Sequence, residues 1–544
     1  MTDTLSAPAW TPTVFTKPIN VNGYRSVVEI FEEANGRFAD NVAFTNFGQS
    51  LTFKDVDEKS RAVAAYLQNE LGLKKGDRVA IMLPNILAFP VIMFGILRAG
   101  LVQVNVNPLY TPRELKHQLN DADTDTIFIF SGSSPTLAEV VADTPIKNVL
   151  IANVGDATGV DMPSPPAHEI FADRLTVKNV LAKGEQLEFT PPQINPSDLI
   201  YLQYTGGTTG LSKGAALSHG NLVANIAQFD AATDGFMRAG EEIVITALPL
   251  YHIFALMVNC LSFYWLGSQN VLITNPRDMP GFVGELKNWK FSVITGVNTL
   301  FNGLLHTPGF DELDFSNYKF AMGGGSAIQR AISDKWKQVT GHHIIEGYGL
   351  SETSPILSVN PFDSTEFTET VGQSMPMTEI KLLDAEDNEV PLGQPGELCA
   401  RGPQIMQGYW RKPDATAAVM TPDGFFRTGD IAIMDKRNNF KIVDRKKDMV
   451  LVSGFNVYPA EVEAVIAEIK GVVEVAVAGT SDDRTGEAVK AFVVRSSEDV
   501  TPEAVQEYCH KAMAAYKVPK HVEFLEELPK STVGKILRRE LRDK

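Results

Sequence analysis

Apolar and polar positions along this chain follow two rhythms, and the change from one to the other outlines its architecture. From Tyr24 onward, Val27, Ile30, Phe31 and Ala34 recur at helical spacing, which predicts an amphipathic helix ending at Gly36. VAFTNFGQSLTF then reads as a hairpin, followed by a helix through Ala62 to Leu71 that stops at Gly72. Next come strand-like VAIMLP, a helix around Ile92 to Leu97, LVQVNV, a helix opening at Thr111, then IFIF and VLIA. Thr111, Pro112 and Glu114 together supply an N-cap, a first-turn proline and a capping-box acid. Strands alternating with helices imply a parallel sheet covered on both faces. GDATGVDMPSPPAH and TPPQINPSD are rich in turn formers and mark surface connections, the second expected to separate two α/β halves.

Beyond Glu366 the pattern shortens to β-rich segments such as EIKLLD and GELCARG, which predict a small barrel or sheet layer. From Gly454 a separate α+β unit of about a hundred residues is expected. It comprises a helix VEAVIAEI, strands VVEVAVAG and AVKAFVV, a helix from Pro502 to Ala515 and a strand HVEFLEEL. The fold class is therefore α/β: a large N-terminal domain of two α/β subdomains plus a small β-barrel-like subdomain, then a small α+β C-terminal domain.

Composition narrows the function. With 44% hydrophobic and 21% charged residues over 544 positions, the chain suits a globular protein of several packed units. The excess of 66 acidic over 49 basic side chains, a net charge of -17, repels a phosphate backbone and argues against nucleic acid as partner. The most apolar windows, Ile86 to Leu97 and Tyr251 to Gly267, are short or interrupted by Pro90, His252 and Asn259, so buried core is expected rather than a membrane span. No basic-then-apolar leader opens the chain, and Cys260, Cys399 and Cys509 lie far apart without metal-ligand spacing, which points to the cytoplasm.

The candidate chemistry begins where LIYLQY runs into TGGTTGLSKG, with a helix expected from about Gly220. Gly206, Gly207 and Gly210 let backbone N–H groups approach a polyphosphate, Thr205, Thr208 and Thr209 add hydroxyls, and Lys213 adds charge. This is not a Walker loop, because no GK[ST] follows at the required spacing. In GYGLSE, Glu352 occupies the place of the third glycine of a dinucleotide fingerprint. A surface turn would share the loop's composition.

With these residues in view, the chain resembles the superfamily of adenylate-forming enzymes, which includes acyl-CoA synthetases, adenylation domains and beetle luciferases. LPLYHIFAL, MGGGSAIQ, EGYGLSET, GELCARGPQIMQGYW, DGFFRTGDIA, DRKKDMVLVSGFNVYPAEVE and PKSTVGKILRREL carry the resemblance, in that order, from about Tyr24 to the C-terminus. The wording is most similar to bacterial long-chain fatty acid CoA ligases. The resemblance implies ATP-dependent conversion of a fatty acid to its acyl-adenylate with release of pyrophosphate. Thioester formation with coenzyme A and release of AMP then follow, with Mg²⁺ as the metal.

Physical sense and resemblance agree on several roles. Tyr348 can stack on adenine, Ser351 can reach a phosphate, and Glu352 offers a hard oxygen for Mg²⁺, joined in the implied metal site by Thr205. The resemblance extends nucleotide contact to Glu346, Gly347 and Gly349. Gly323, Gly324 and Gly325 allow close approach of a flat ligand, which the family places at the adenine and the acyl carbonyl. Asp430 can accept from two ribose hydroxyls, and Arg445 is a donor fork for the same sugar; taken singly, each would also suit a surface salt bridge.

Attack of a carboxylate on an α-phosphate brings two anions together, so a cation placed at the transition state is worth much. By resemblance Lys535 is that cation; without it, Lys535 reads as a solvated lysine beside Lys530, Arg538 and Arg539. His252 is implied to shape the acyl site, with general-base duty open. The resemblance divides the chain into 1–444 and 445–544 and lets the second part rotate about a hinge near 444–447, at Lys447. Ser453 to Asn456, with Gly454, would then line the pantetheine tunnel.

The chain departs from many relatives at Gly206, where serine is common, and at Ser212, where proline is. Leu256 stands where some long-chain members carry a gating tryptophan, which leaves chain-length preference open. A CoA ligase for medium-chain or aryl acids, a carrier-protein adenylation module, a luciferase-like oxygenase and a non-catalytic nucleotide sensor remain as rivals. Weak peripheral membrane contact and a homodimer are also left open.

Overall fold

The computed structural model describes residues 12–205, 212–453, 455–482, 484–531 and 534–542. Small apolar and β-branched residues in short runs build two large sheets whose strands are buried on both faces, as parallel sheets require. One has seven strands, in the order Gly408–Tyr409, Lys213–Ser218, Leu199–Thr205, Val102–Asn105, Arg78–Met82, Thr126–Phe130 and Asn148–Ala152. Its last five are parallel to one another, and the first two are antiparallel additions at one edge.

The other has nine strands. Six are parallel, in the order Ile344–Gly349, Phe320–Gly323, Val293–Gly296, Ile243–Thr246, Gln269–Leu272 and Val42–Asn46. Gln49–Thr52 closes one edge, and Ile356–Val359 and Gln373–Ser374 the other.

This topology corrects one expectation. TPPQINPSD does not divide the halves, because the strands on both sides of it belong to the seven-stranded sheet. The N-terminal hairpin instead joins the nine-stranded sheet, where Phe44 pairs with Asn270 far along the chain. Helix Phe53–Asn69 leaves that hairpin and packs on Ala88–Arg98 of the other half, tying the sheets together. The contact is close: a Cβ on Gly95 would lie 2.5 Å from Val63 Cβ. Arg98 ends the second helix fully buried, paired with Asp57 and stacked 4.7 Å from the Phe31 ring centroid.

Local expectations fare well. Thr111 caps Pro112–Ala122 with a complete capping box through Glu114, a device worth about 0.5–2 kcal/mol. The first helix, Val27–Phe38, runs past Gly36, where nothing lies within 4 Å of a built Cβ, so the glycine breaks no packing. Glu379–Leu383, Gly396–Arg401, Phe426–Met434 and Phe440–Arg445 form the expected small layer, an antiparallel four-stranded sheet.

Downstream of it, Val450–Val452, Phe455–Val457, Val472–Asp482, Gly486–Arg495 and His521–Phe524 make a separate sheet. Its core of Val450, Val457, Val462, Ile466, Val475, Val477, Val489 and Val493 is its own. Among the described residues no helix is long and apolar enough to cross a membrane.

Candidate active site

Open parallel sheets gather function beyond the carboxyl ends of their strands, and both large sheets do so here. Leu199–Thr205 ends at Thr205, Phe320–Gly323 leads into Gly324 and Gly325, and Ile344–Gly349 leads into the single turn Ser351–Thr353 that carries Glu352. Val293–Gly296 leads to Thr299, and Ile243–Thr246 to His252.

The candidate phosphate loop has a frame that sequence reasoning missed. Thr205 is the cross-strand partner of Lys213, so the loop joins two strands of a hairpin, and Lys213–Ser218 intervenes before helix His219–Ala232. KGAALS is small and weakly β-forming, and its strand state comes from pairing with its neighbours. The Ser212 carbonyl is anchored by His117 Nε2 at 2.9 Å. Gly206, Gly207, Thr208, Thr209, Gly210 and, elsewhere, Gly454 lie outside the described residues.

The glycine-rich turns are tight. A Cβ on Gly349 would sit 1.8 Å from the Pro355 carbonyl oxygen, on Gly347 2.9 Å from Met322 Cε, and on Gly324 3.0 Å from the Phe254 ring. Gly325 has φ +77, and a Cβ there would meet Lys535 Cε at 3.0 Å and its Nζ at 3.6 Å. The lysine of the C-terminal unit is thus held against the glycine turn of the large body.

Lys535 sits on a short turn: the Ser531 N–H donates to the Lys535 carbonyl (2.7 Å), and the Lys535 N–H donates to Ser531 Oγ (3.1 Å). The turn is docked by Thr299 Oγ1, which donates to the Gly534 carbonyl at 3.1 Å. Burial lowers the Lys535 ammonium to about 8; Arg445 adds to the shift, while Asp430 and Glu352 oppose it. His252 faces the same charge. Burial takes its imidazole down to about 3 and Lys535 pushes the same way, so the ring is neutral at pH 7.

Asp430 and Arg445 are cross-strand partners in the small sheet, with Arg445 Nε 3.3 Å from Asp430 Oδ1. Tyr348 donates its phenol to Asp430 Oδ2 at 2.6 Å, so ring and carboxylate form one surface. Glu352 is 7% exposed, and burial raises its carboxyl against the opposing hydrogen bond from Tyr409. Glu346 points elsewhere: its Oε1 accepts the Ile328 N–H at 2.9 Å, which braces the turn after Gly325, and burial raises it to about 8.

At the expected hinge, Lys447 is half-buried and lowered to about 8 by burial, with Arg445 contributing. Asp444, a residue the sequence reading passed over, accepts from the Ala460 N–H at 2.8 Å and from Arg538 at 3.2 Å. Arg538 also grips Glu463 through Nε (3.1 Å) and Nη2 (2.7 Å).

The donor set for Mg²⁺ is sparse. Among the described residues no group of three or more His, Cys, Asp or Glu could hold a metal alone. A single buried carboxylate suits an ion whose other ligands are phosphates and water, as Mg²⁺ prefers. Glu352 fits an ion that arrives with a nucleotide.

Comparison with known proteins follows the same division. Residues 31–410 match the model of the AMP-binding enzyme family, and 461–535 that of the AMP-binding enzyme C-terminal domain. A long-chain-fatty-acid–CoA ligase of Salmonella typhi is 51% identical over 96% of this chain and 95% of its own. One of Yersinia pestis is 50% identical over the same shares. Among solved structures, ATP-bound MatB from Rhodopseudomonas palustris is 27% identical, covers 95% of this chain and 98% of its own, and has a TM-score of 0.82. The ligand-free form of the same enzyme reaches 0.73.

Proposed function

The chain belongs to the AMP-binding enzyme family, and we propose that it joins long-chain fatty acids to coenzyme A in two steps that share one crevice. In the first, a carboxylate oxygen attacks the α-phosphorus of ATP, a P–O bond forms, and the bond to the β-phosphate breaks as pyrophosphate leaves. In the second, the thiol of coenzyme A attacks the acyl carbon, a C–S bond forms, and AMP leaves as the C–O bond of the mixed anhydride breaks.

One observation carries this reading: an amine from the C-terminal unit lies against Gly325, in the field of Asp430, Arg445, Glu352 and His252. In the first step Lys535 offsets the charge that gathers as two anions meet. Asp430 and Arg445 take the ribose, Tyr348 flanks the base, and the turns at Gly324 and Gly347 allow close approach. Mg²⁺ bound with the nucleotide supplies further charge neutralisation, with Glu352 and Thr205 as its protein ligands. The better fit to the ATP-bound than to the ligand-free form of MatB supports an arrangement suited to this step.

The second step needs the crevice that Lys535 occupies. We place the domain boundary at 444/445 and the hinge at Lys447, so that the C-terminal unit swings away and Ser453 to Asn456 approach the pantetheine arm. His252, kept neutral chiefly by burial, shapes the acyl site in the thioester-forming step.

Cys260, Cys399 and Cys509 are free and buried, which supports a cytoplasmic setting. An acid drawn from a bilayer would bring weak peripheral contact, which vesicle sedimentation tests. For the activity, fatty-acid-dependent pyrophosphate release and thioester formation are measured across acids of increasing length. Both signals rising together for long chains is the expected result, and thioester formation only with short or aryl acids contradicts the substrate reading.

A further inference from the structure

GELCARGPQIMQGYW holds one side chain that the two steps leave unused. Tyr409 ends the short strand Gly408–Tyr409, which pairs antiparallel with Lys213–Ser218, the strand leaving the phosphate loop. Backbone bonds fix its place: the Trp410 N–H donates to the Gly214 carbonyl at 2.8 Å, and the Tyr409 N–H to Thr416 Oγ1 at 2.9 Å. The same segment holds the backbone of Glu352, whose carbonyl accepts the Met406 N–H at 2.8 Å.

From this platform the phenol donates to Glu352 Oε1 at 2.8 Å, while the Lys213 ammonium lies 5.2 Å from the ring centroid. One side chain therefore touches both the carboxylate read as the metal ligand and the lysine read as a phosphate partner. A carboxylate that binds metal through one oxygen gains orientation when a partner fixes the other, and such outer partners matter nearly as much as the ligands. The ring face in turn holds a cation without neutralising it, so Lys213 keeps its full charge for phosphates.

We propose that Tyr409 is a positioning residue for the metal–nucleotide complex: its hydroxyl aims Glu352 at the cation, and its ring keeps Lys213 beside the phosphates. The proposal rests on the reading of Glu352 as the metal ligand, so the test separates the two. Mn²⁺ binding is followed by electron paramagnetic resonance in full-length protein with a non-hydrolysable ATP analogue, for wild type, Tyr409→Phe and Glu352→Gln. Thioester formation from supplied acyl-adenylate, which needs no metal, is measured in parallel.

Tyr409→Phe keeps the ring and removes only the donor. It is expected to weaken Mn²⁺ binding about 10- to 100-fold, with metal-free affinity for the analogue and transfer from acyl-adenylate unchanged. Wild-type Mn²⁺ affinity in Tyr409→Phe, with loss in Glu352→Gln, overturns the role of Tyr409 alone. Unchanged binding in Glu352→Gln overturns the ligand reading beneath it. Equal loss of transfer in Tyr409→Phe assigns the tyrosine a merely structural part and also overturns the proposal.

Discussion

The two sides of the crevice are built differently. On the large body, Thr205 and Gly347 lie in, and Gly324, Glu352 and His252 follow, strands of two extensive sheets, and their positions are dictated by a core that cannot shift piecemeal. On the C-terminal unit, Lys535 sits on a turn closed by Ser531 and docked through Thr299 and Gly534. On the proposed function, the first side is the nucleotide cradle and the second is a delivered charge, docked through Thr299. The C-terminal unit has a hydrophobic core of its own.

Substitutions on each side should therefore fail in different ways. The largest effect is expected from Lys535→Ala, which lowers fatty-acid-dependent pyrophosphate release by about 10²–10³-fold and leaves thioester formation from supplied acyl-adenylate near the wild-type rate. Equal loss of both steps would erase the distinction between cradle and delivered charge. Lys447→Pro fixes φ at the hinge and acts in the opposite sense. Adenylation survives while coenzyme A transfer drops by about 10²-fold, and normal coupled thioester production would move the hinge elsewhere.

Thr299→Val sharpens the comparison at smaller cost. It removes the one hydroxyl donated to Gly534, so adenylation should slow about threefold to tenfold, the value of a single hydrogen bond. Transfer should be untouched, because the proposed rotation undocks the lysine turn in that step. A matching fall in transfer would show Thr299 to be ordinary scaffold.

The same contrast separates what could be read in the sequence from what could not. The Thr111 cap, the hairpin over residues 42–52 and the strand–helix alternation are local, written in neighbours a few positions apart, and they appear where expected. The motif residues Lys535, Glu352, Asp430, Arg445 and His252 lie within one another's electrostatic reach. Long-range pairing was not legible. Nothing in VAFTN announces a partner at Asn270, and nothing in KGAALS announces a strand beside Leu199–Thr205. Tyr409 stands 57 positions from the carboxylate it touches, and Asp444 meets Arg538 across 94. Such contacts are decided by how sheets and domains dock, which periodicity does not encode.

The most direct test is the position of one amine. A crystal structure with an inert acyl-adenylate analogue in the crevice should place Lys535 Nζ within hydrogen-bond distance of both the acyl oxygen and the α-phosphate. An analogue fully bound with that amine remote, and with another cation at the reacting oxygens, would contradict the account.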